Sequence, residues 1–260
     1  LHDSDDPQVS EDAFQANVAR LQGFFDELGI PAPARPEHYW PRFADQVDAV
    51  LEARPAVFSF VFGVPSPDIL ERCRSLGIAT LGAATTVAEA VALDEAGVDM
   101  IVASGFEAGG HRPAFLGAAE DQLIGSLALV PQVVDAVRRP VIAAGGIADG
   151  RGIAAALSLG AAGVQIGTAF LACRESGASE LHRSALLGAG AGDTAFTRAF
   201  TGRLARGIRN RFMEEMRNHE SHLPPYPVQA WFTQRIKAVA REQGRPDLMS
   251  LWAGQAAPLL

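Results

Sequence analysis

Asp99-Met100-Ile101-Val102-Ala103-Ser104-Gly105-Phe106-Glu107-Ala108-Gly109-Gly110-His111-Arg112 opens the stretch that decides the fold, which runs on to Thr168. After Asp99 the first residues are apolar and uncharged, the pattern of a strand buried on both faces. The chain then breaks into a Gly-rich loop carrying a histidine. Two further units repeat this grammar. Val141-Ile142-Ala143-Ala144 runs into Gly145-Gly146-Ile147-Ala148-Asp149-Gly150 ahead of the helical spacing Ile153, Ala156, Leu157, and Gly163-Val164-Gln165-Ile166-Gly167-Thr168 is a third strand ending in glycine. Residues without a Cβ let an anion come close to backbone N–H groups, and helix N-termini favour negative charge. The second and third turns are therefore expected to hold the phosphate of a cofactor, with His111 facing its reactive end.

Upstream the same unit recurs. Val57–Phe62 reads as a strand, Ser66-Pro67 caps a helix ending at Leu76-Gly77, Ile78–Gly82 is the next strand, and Thr85 or Thr86 starts a helix ending at Ala96-Gly97. Gly77, Gly97 and Gly160 each follow a helix, where glycine can take the left-handed position. Before this repeat, Val18, Leu21, Phe24, Phe25 and Leu28 recur at helical spacing until Gly29 and Pro31, and a Pro-rich connector leads to a second helix near Phe43–Leu51. Five strands result, at 57–62, 78–82, 99–104, 140–144 and 163–168. A (β/α)₈ barrel has eight, while a dinucleotide-binding open sheet would carry G-x-G-x-x-G after its first strand, which is absent. The expectation is an α/β barrel whose first three strands lie upstream, with Leu1-His2 the tail of the third.

Composition narrows the function classes. With 260 residues and 48% apolar content, the chain can bury a full-sized core as a single domain over 1–260, with a helical C-terminal segment from about 175 to 260. A net charge of −8 argues against nucleic acid and anionic membrane as partners. No apolar run reaches the ~20 residues of a membrane span, and the acidic start is not a leader peptide. Cys73 and Cys173 are read as small buried hydrophobes. The address expected is cytoplasmic, and open sheet edges make a homo-oligomer conceivable, since unpaired edges recruit other chains.

Ala103–Arg112, Ala143–Gly150 and Gln165–Thr168, together with Leu223-Pro224-Pro225-Tyr226-Pro227-Val228-Gln229 and Leu251-Trp252-Ala253-Gly254-Gln255, resemble the nitronate monooxygenase family over nearly the whole chain. That resemblance implies a TIM barrel that oxidises alkyl nitronates with O₂ by means of FMN. It places flavin contacts at Gly109, Gly145, Gly146, Gln165, Ile166, Gly167 and Thr168, and a catalytic role at His111. Family members usually carry Gln where this chain has Ser104, and their flavin-contacting Asn on the third strand has no counterpart here. A flavin enoyl-ACP reductase shares the Gly-Gly-His loop, but Arg112 and the Trp252-Ala253-Gly254-Gln255 tail favour the monooxygenase. A non-catalytic remnant without flavin is the third reading.

Imidazole titrates near neutrality, so His111 could bind a nitronate anion when charged or take a carbon-bound proton when neutral. Glu107 is either hydrogen-bonded within its loop or solvated. His219-Glu220-Ser221-His222 has no third ligand at a sensible spacing and reads as a polar loop rather than a metal site. The cluster Arg198, Arg203, Arg206, Arg209, Arg211 reads as a solvated helix face or part of a lid over an anionic ligand.

Overall fold

Before the repeat begins, two helices form where the apolar spacing places them. The computed structural model describes residues 7–190 and 192–260. α1 (Glu11–Leu28) starts at Ser10, whose hydroxyl accepts from Ala13 N, and stops at Gly29 with φ 68°. α2 spans Phe43–Ala53. Strand and helix then alternate through β1 (Val57–Phe60), α3 (Pro67–Ser75), β2 (Ala79–Ala84), α4 (Val87–Glu95) and β3 (Met100–Ser104). A short β4 (Gly110–His111) interrupts the rhythm. It resumes with α5 (Ser126–Ala136), β5 (Val141–Ala144), α6 (Gly150–Ser158) and β6 (Gly163–Gln165).

The sheet order is β1-β2-β3-β5-β6, every pair parallel, so all five strands end on one side. Its core is made where small strand residues meet branched helix residues: Ile101, Ala103, Val141 and Ala143 lie under Leu93 of α4 and Leu129, Val130 and Val133 of α5, all buried. Serine at 66 and threonine at 86 cap α3 and α4 as read from the sequence. Thr85 is not the cap. The three post-helix glycines take φ of 71°, 81° and 91°. Leu1-His2, expected to end an earlier strand, lies outside the described residues.

Beyond β6 come α7 (Thr168–Leu171), α8 (Glu180–Leu187), β7 (Thr194–Thr197), β8 (Ala205–Ile208), α9 (Arg211–Met216) and α10 (Val228–Glu242). The segment expected to be helical thus also contains an antiparallel hairpin, and β4 joins it to give the order β4-β8-β7. Strands of four residues have too little periodicity to show in sequence, and β8 also carries Arg206 and Gly207. The hairpin also dissolves the expected basic helix face: Arg206 is buried on β8 and stacks 4.0 Å from the Phe196 ring, Arg198 pairs with Glu120, and Arg211 with Glu27 and Asp247. Cys73 is buried as expected, but Cys173 is exposed.

A second core joins the two ends of the chain. Phe14, Leu21 and Phe25 of α1 pack with Phe232 and Ile236 of α10, and with Phe200, Phe212 and Met216. Within it, the Asn17 amide donates to Gln229 Oε1 at 3.0 Å, and the Gln229 amide donates to Ala199 O. Among the described residues no helix is long and apolar enough to cross a membrane.

Glu89 of α4 is fully buried and ties this architecture to the loop after β4. Its carboxylate accepts from Thr85 N and Oγ1, both at 2.7 Å, and from Phe115 N at 2.6 Å and Leu116 N at 3.0 Å. Removing it strands four donors, so Glu89→Ala is expected to lower unfolding free energy by about 3 kcal/mol in urea titration. A loss below about 1 kcal/mol would show that the loop is held by other contacts.

Candidate active site

Where parallel strands end together, their last residues and following loops converge on one cavity. Here it has a volume of ≈ 360 Å³ and is lined by Phe62 after β1, Ala83 of β2, Ser104 of β3, Gly145 and Gly146 after β5, and Gln165 of β6. The loop after β3 supplies Gly109 and His111, and the C-terminal tail supplies Trp252 and Gly254.

Each loop is fixed from behind. Glu107, far from being solvated, accepts from Ser126 N at 2.9 Å, and Ser126 Oγ donates to Gly145 O at 2.9 Å, so the His loop and the Gly-Gly turn share one polar anchor. Arg112 is buried and donates to Ser104 O, Thr85 O and Gln122 O, binding the ends of two strands to the loop. Burial lowers its pKa to about 10, which leaves it cationic at neutral pH. Gly109 is required by close approach: a Cβ there would sit 2.5 Å from Ala253 C and Gly254 N.

The Gly-Gly turn has φ of 101° at Gly145 and 73° at Gly146, a conformation that favours glycine. One element of the sequence reading changes here. The first amides of α6 do not face an incoming anion, because Asp149 already caps Arg151 N and Gly152 N. The donors left for an anion are those of the turn itself and of the Gly167 corner, where a Cβ would meet nothing within 4 Å. A glycine-walled cavity of this size lies within the ~300–1,000 Å³ range of cofactor sites, and its residues fit a flat, phosphate-bearing group.

His111 is positioned by backbone and side chain together. β4 pairs it with Ala205 of β8, and its ring sits among Phe62, Tyr226 and Trp252 at centroid distances of 6.0, 6.2 and 5.7 Å. Nε2 lies 2.8 Å from Thr201 Oγ1, which also accepts from Arg203 N and can donate to Arg203 O. A hydroxyl carries one proton, so Nε2 donates to Thr201 Oγ1 in one tautomer of the ring and accepts from it in the other, and in both Thr201 fixes the orientation of the imidazole. Burial, then the charges of Arg203 and Lys237, push the pKa of His111 down to about 4.

The structure brings His111, Gly109, Gly145, Gly146, Gln165, Gly167 and Thr168 to one cavity, while Ile166 lies between two lining residues without lining it. Thr168 Oγ1 accepts from Gly254 N at 2.9 Å, holding the tail. His219 and His222 lie on a 3₁₀ turn whose Glu220 accepts from Arg198 N at 3.0 Å, and among the described residues no cluster of His, Cys, Asp and Glu could hold a metal ion. Sequence reasoning missed Thr201 and Phe62. Phe62 takes φ 69°, unusual for a bulky residue, and its ring lies 3.9 Å from the Arg203 guanidinium carbon.

A family description, nitronate monooxygenase, matches residues 4–260. The chain belongs to the nitronate monooxygenase family. Among curated relatives, a probable nitronate monooxygenase of Staphylococcus aureus (strain Newman) is 47% identical over 220 residues, covering 84% of this chain and 62% of the relative. The chain thus spans 62% of the length of that relative. Among solved structures, nitroalkane oxidase from Streptomyces ansochromogenes superposes with a TM-score of 0.83 at 39% identity, over 96% of this chain and 72% of that one. FabK from Thermotoga maritima does so with 0.69 at 32%, over 84% and 66%. The fold class is accordingly the α/β architecture of the TIM-barrel members of this family.

The low pKa of His111 has a stability consequence. Unfolded histidine, near 6.5, binds a proton that the folded state refuses until about pH 4. The unfolded state holds more protons across that window, so this contribution is complete above about pH 6.5 and is lost as pH falls towards 4. At pH 5 the loss reaches up to about 2 kcal/mol. His111→Gln is expected to remove this component, seen as a smaller drop in urea unfolding free energy between pH 7 and pH 5 than in the wild type. An equal drop would place the imidazole in water.

Proposed function

We propose that this protein is an FMN-dependent nitronate monooxygenase that oxidises alkyl nitronates with O₂, and that His111 handles the substrate proton. The observation that carries the reading is a buried imidazole, uncharged at neutral pH, set on the wall of a glycine-lined cavity at the ends of a parallel sheet. Bound there, FMN would supply the electron-accepting chemistry that oxidation requires. The backbone at Gly145, Gly146 and Gly167 would hold its phosphate and Gln165 its polar edge. Phe62 and Trp252 shield His111 and give an alkyl chain an apolar wall.

With a pKa near 4, His111 carries no charge at neutral pH and cannot attract a nitronate by charge. Its unprotonated ring nitrogen can instead take the carbon-bound proton of a neutral nitroalkane, which a nitronate has already lost. Two free cysteines suit a reducing compartment, and the cytoplasm is the proposed location.

Two variants test this reading. Gly167→Val puts a side chain into open space at an ordinary φ of −103°, so the fold should persist while FMN binding, followed by flavin fluorescence, weakens at least about tenfold, equivalent to 1.4 kcal/mol. Unchanged affinity would move the phosphate elsewhere. In flavin-loaded enzyme without nicotinamide, His111→Asn is expected to cost nitroalkane oxidation ~10²–10⁴-fold and nitronate oxidation far less, measured by O₂ uptake. Equal losses would remove the base role, and activity only with a nicotinamide donor would replace the reaction.

A further inference from the structure

A second cavity, of ≈ 470 Å³, shares no lining residue with the first and is lined by Trp40, Ser179, His182, Lys237, Arg241 and Ser250 among others. Trp252 lines the first cavity, and its carbonyl accepts at 3.0 Å from Nε2 of His182, which lines the second. Lys237 and Arg241 are four residues apart on α10, so they share one face of the helix and repel one another. No acidic side chain is among the cavity's lining residues. Burial, then the charge of Arg241, holds the pKa of the Lys237 ammonium down to about 8, still protonated at pH 7. Elsewhere on the surface this protein neutralises its arginines readily, as Arg211 and Arg245 do with Glu27 and Asp247. An acidic protein that keeps two cations together without a carboxylate, beside two serine hydroxyls, has built a place for a negative group from outside.

We propose that this cavity binds a small oxyanion, a carboxylate or phosphate group, between Lys237 and Arg241 of α10 and the serines at 179 and 250. An arginine fork and an ammonium together match the oxygens of either group, and the serine hydroxyls can donate to the same oxygens. The indole of Trp40 gives the remainder of such a ligand a flat apolar wall. The site is separate from the cavity that holds His111, and it stands whether or not that cavity binds flavin.

Calorimetric titration of the full chain at pH 7 with inorganic phosphate, and separately with acetate, against sodium chloride of matched ionic strength, tests the assignment. One saturable site is expected for at least one of the two, and the arm that responds identifies the group. Lys237→Met and Arg241→Gln should each weaken it at least tenfold, whereas Arg235→Gln on another face of α10 and Gly167→Val in the first cavity should not. Arg241 is exposed, so its variant keeps the test decisive even if Lys237→Met fails to fold. Heats no greater than those of chloride, unchanged affinity in Arg241→Gln, or loss in Gly167→Val alone would overturn the proposal.

Discussion

Leu251–Gln255 holds the molecule together through its backbone. Leu251 O accepts from Ile208 N at 2.8 Å, Trp252 bridges Gly207, Gly254 N donates to Thr168 Oγ1, and Gln255 N donates to Glu107 O at 2.9 Å. Five residues thus bind the hairpin, the corner after β6 and the His loop to one another. The contact tolerates no side chain at Gly109 or at Gly254, where a Cβ would lie 2.8 Å from Glu107 O. Glycine is needed here because two backbones meet, which is a different reason from the left-handed turn at Gly145.

That closure also sets the electrostatics of the cavity. His111 is buried because the tail places Trp252 against it and the hairpin places Thr201 and Arg203 beside it. Without those elements the same loop would leave its histidine largely wet, and the ring would titrate nearer the ordinary range. Desolvation by elements distant in sequence makes it neutral, and the hydroxyl of Thr201 holds its Nε2 in place.

Much of the fold was legible because it is local. Strand residues without charge, glycines past helix ends, and the caps at Ser66 and Thr86 act over a few positions, and each appears where its chemistry places it. The glycines and His111 of the cavity were legible too, since they sit at strand ends that the pattern marks. The β7–β8 hairpin was not, because strands of four residues leave no periodic trace and are stabilised by partners such as Phe196 and Arg206 that meet only after folding. Thr201 and Phe62 escaped for the same reason: a threonine ninety positions from its histidine has no local signature.

The packing of α1 against α10 and the clamp at 251–255 join segments that lie on either side of the parallel sheet in sequence. On a ribosome, α1 would emerge with Phe14, Leu21 and Phe25 uncovered and would stay so until more than two hundred further residues had followed. The parallel sheet, made of neighbours in sequence, can assemble meanwhile. The cavity takes its shape only once residues 251–255 have followed the sheet, and a chain without them would have its sheet but not that wall of the cavity.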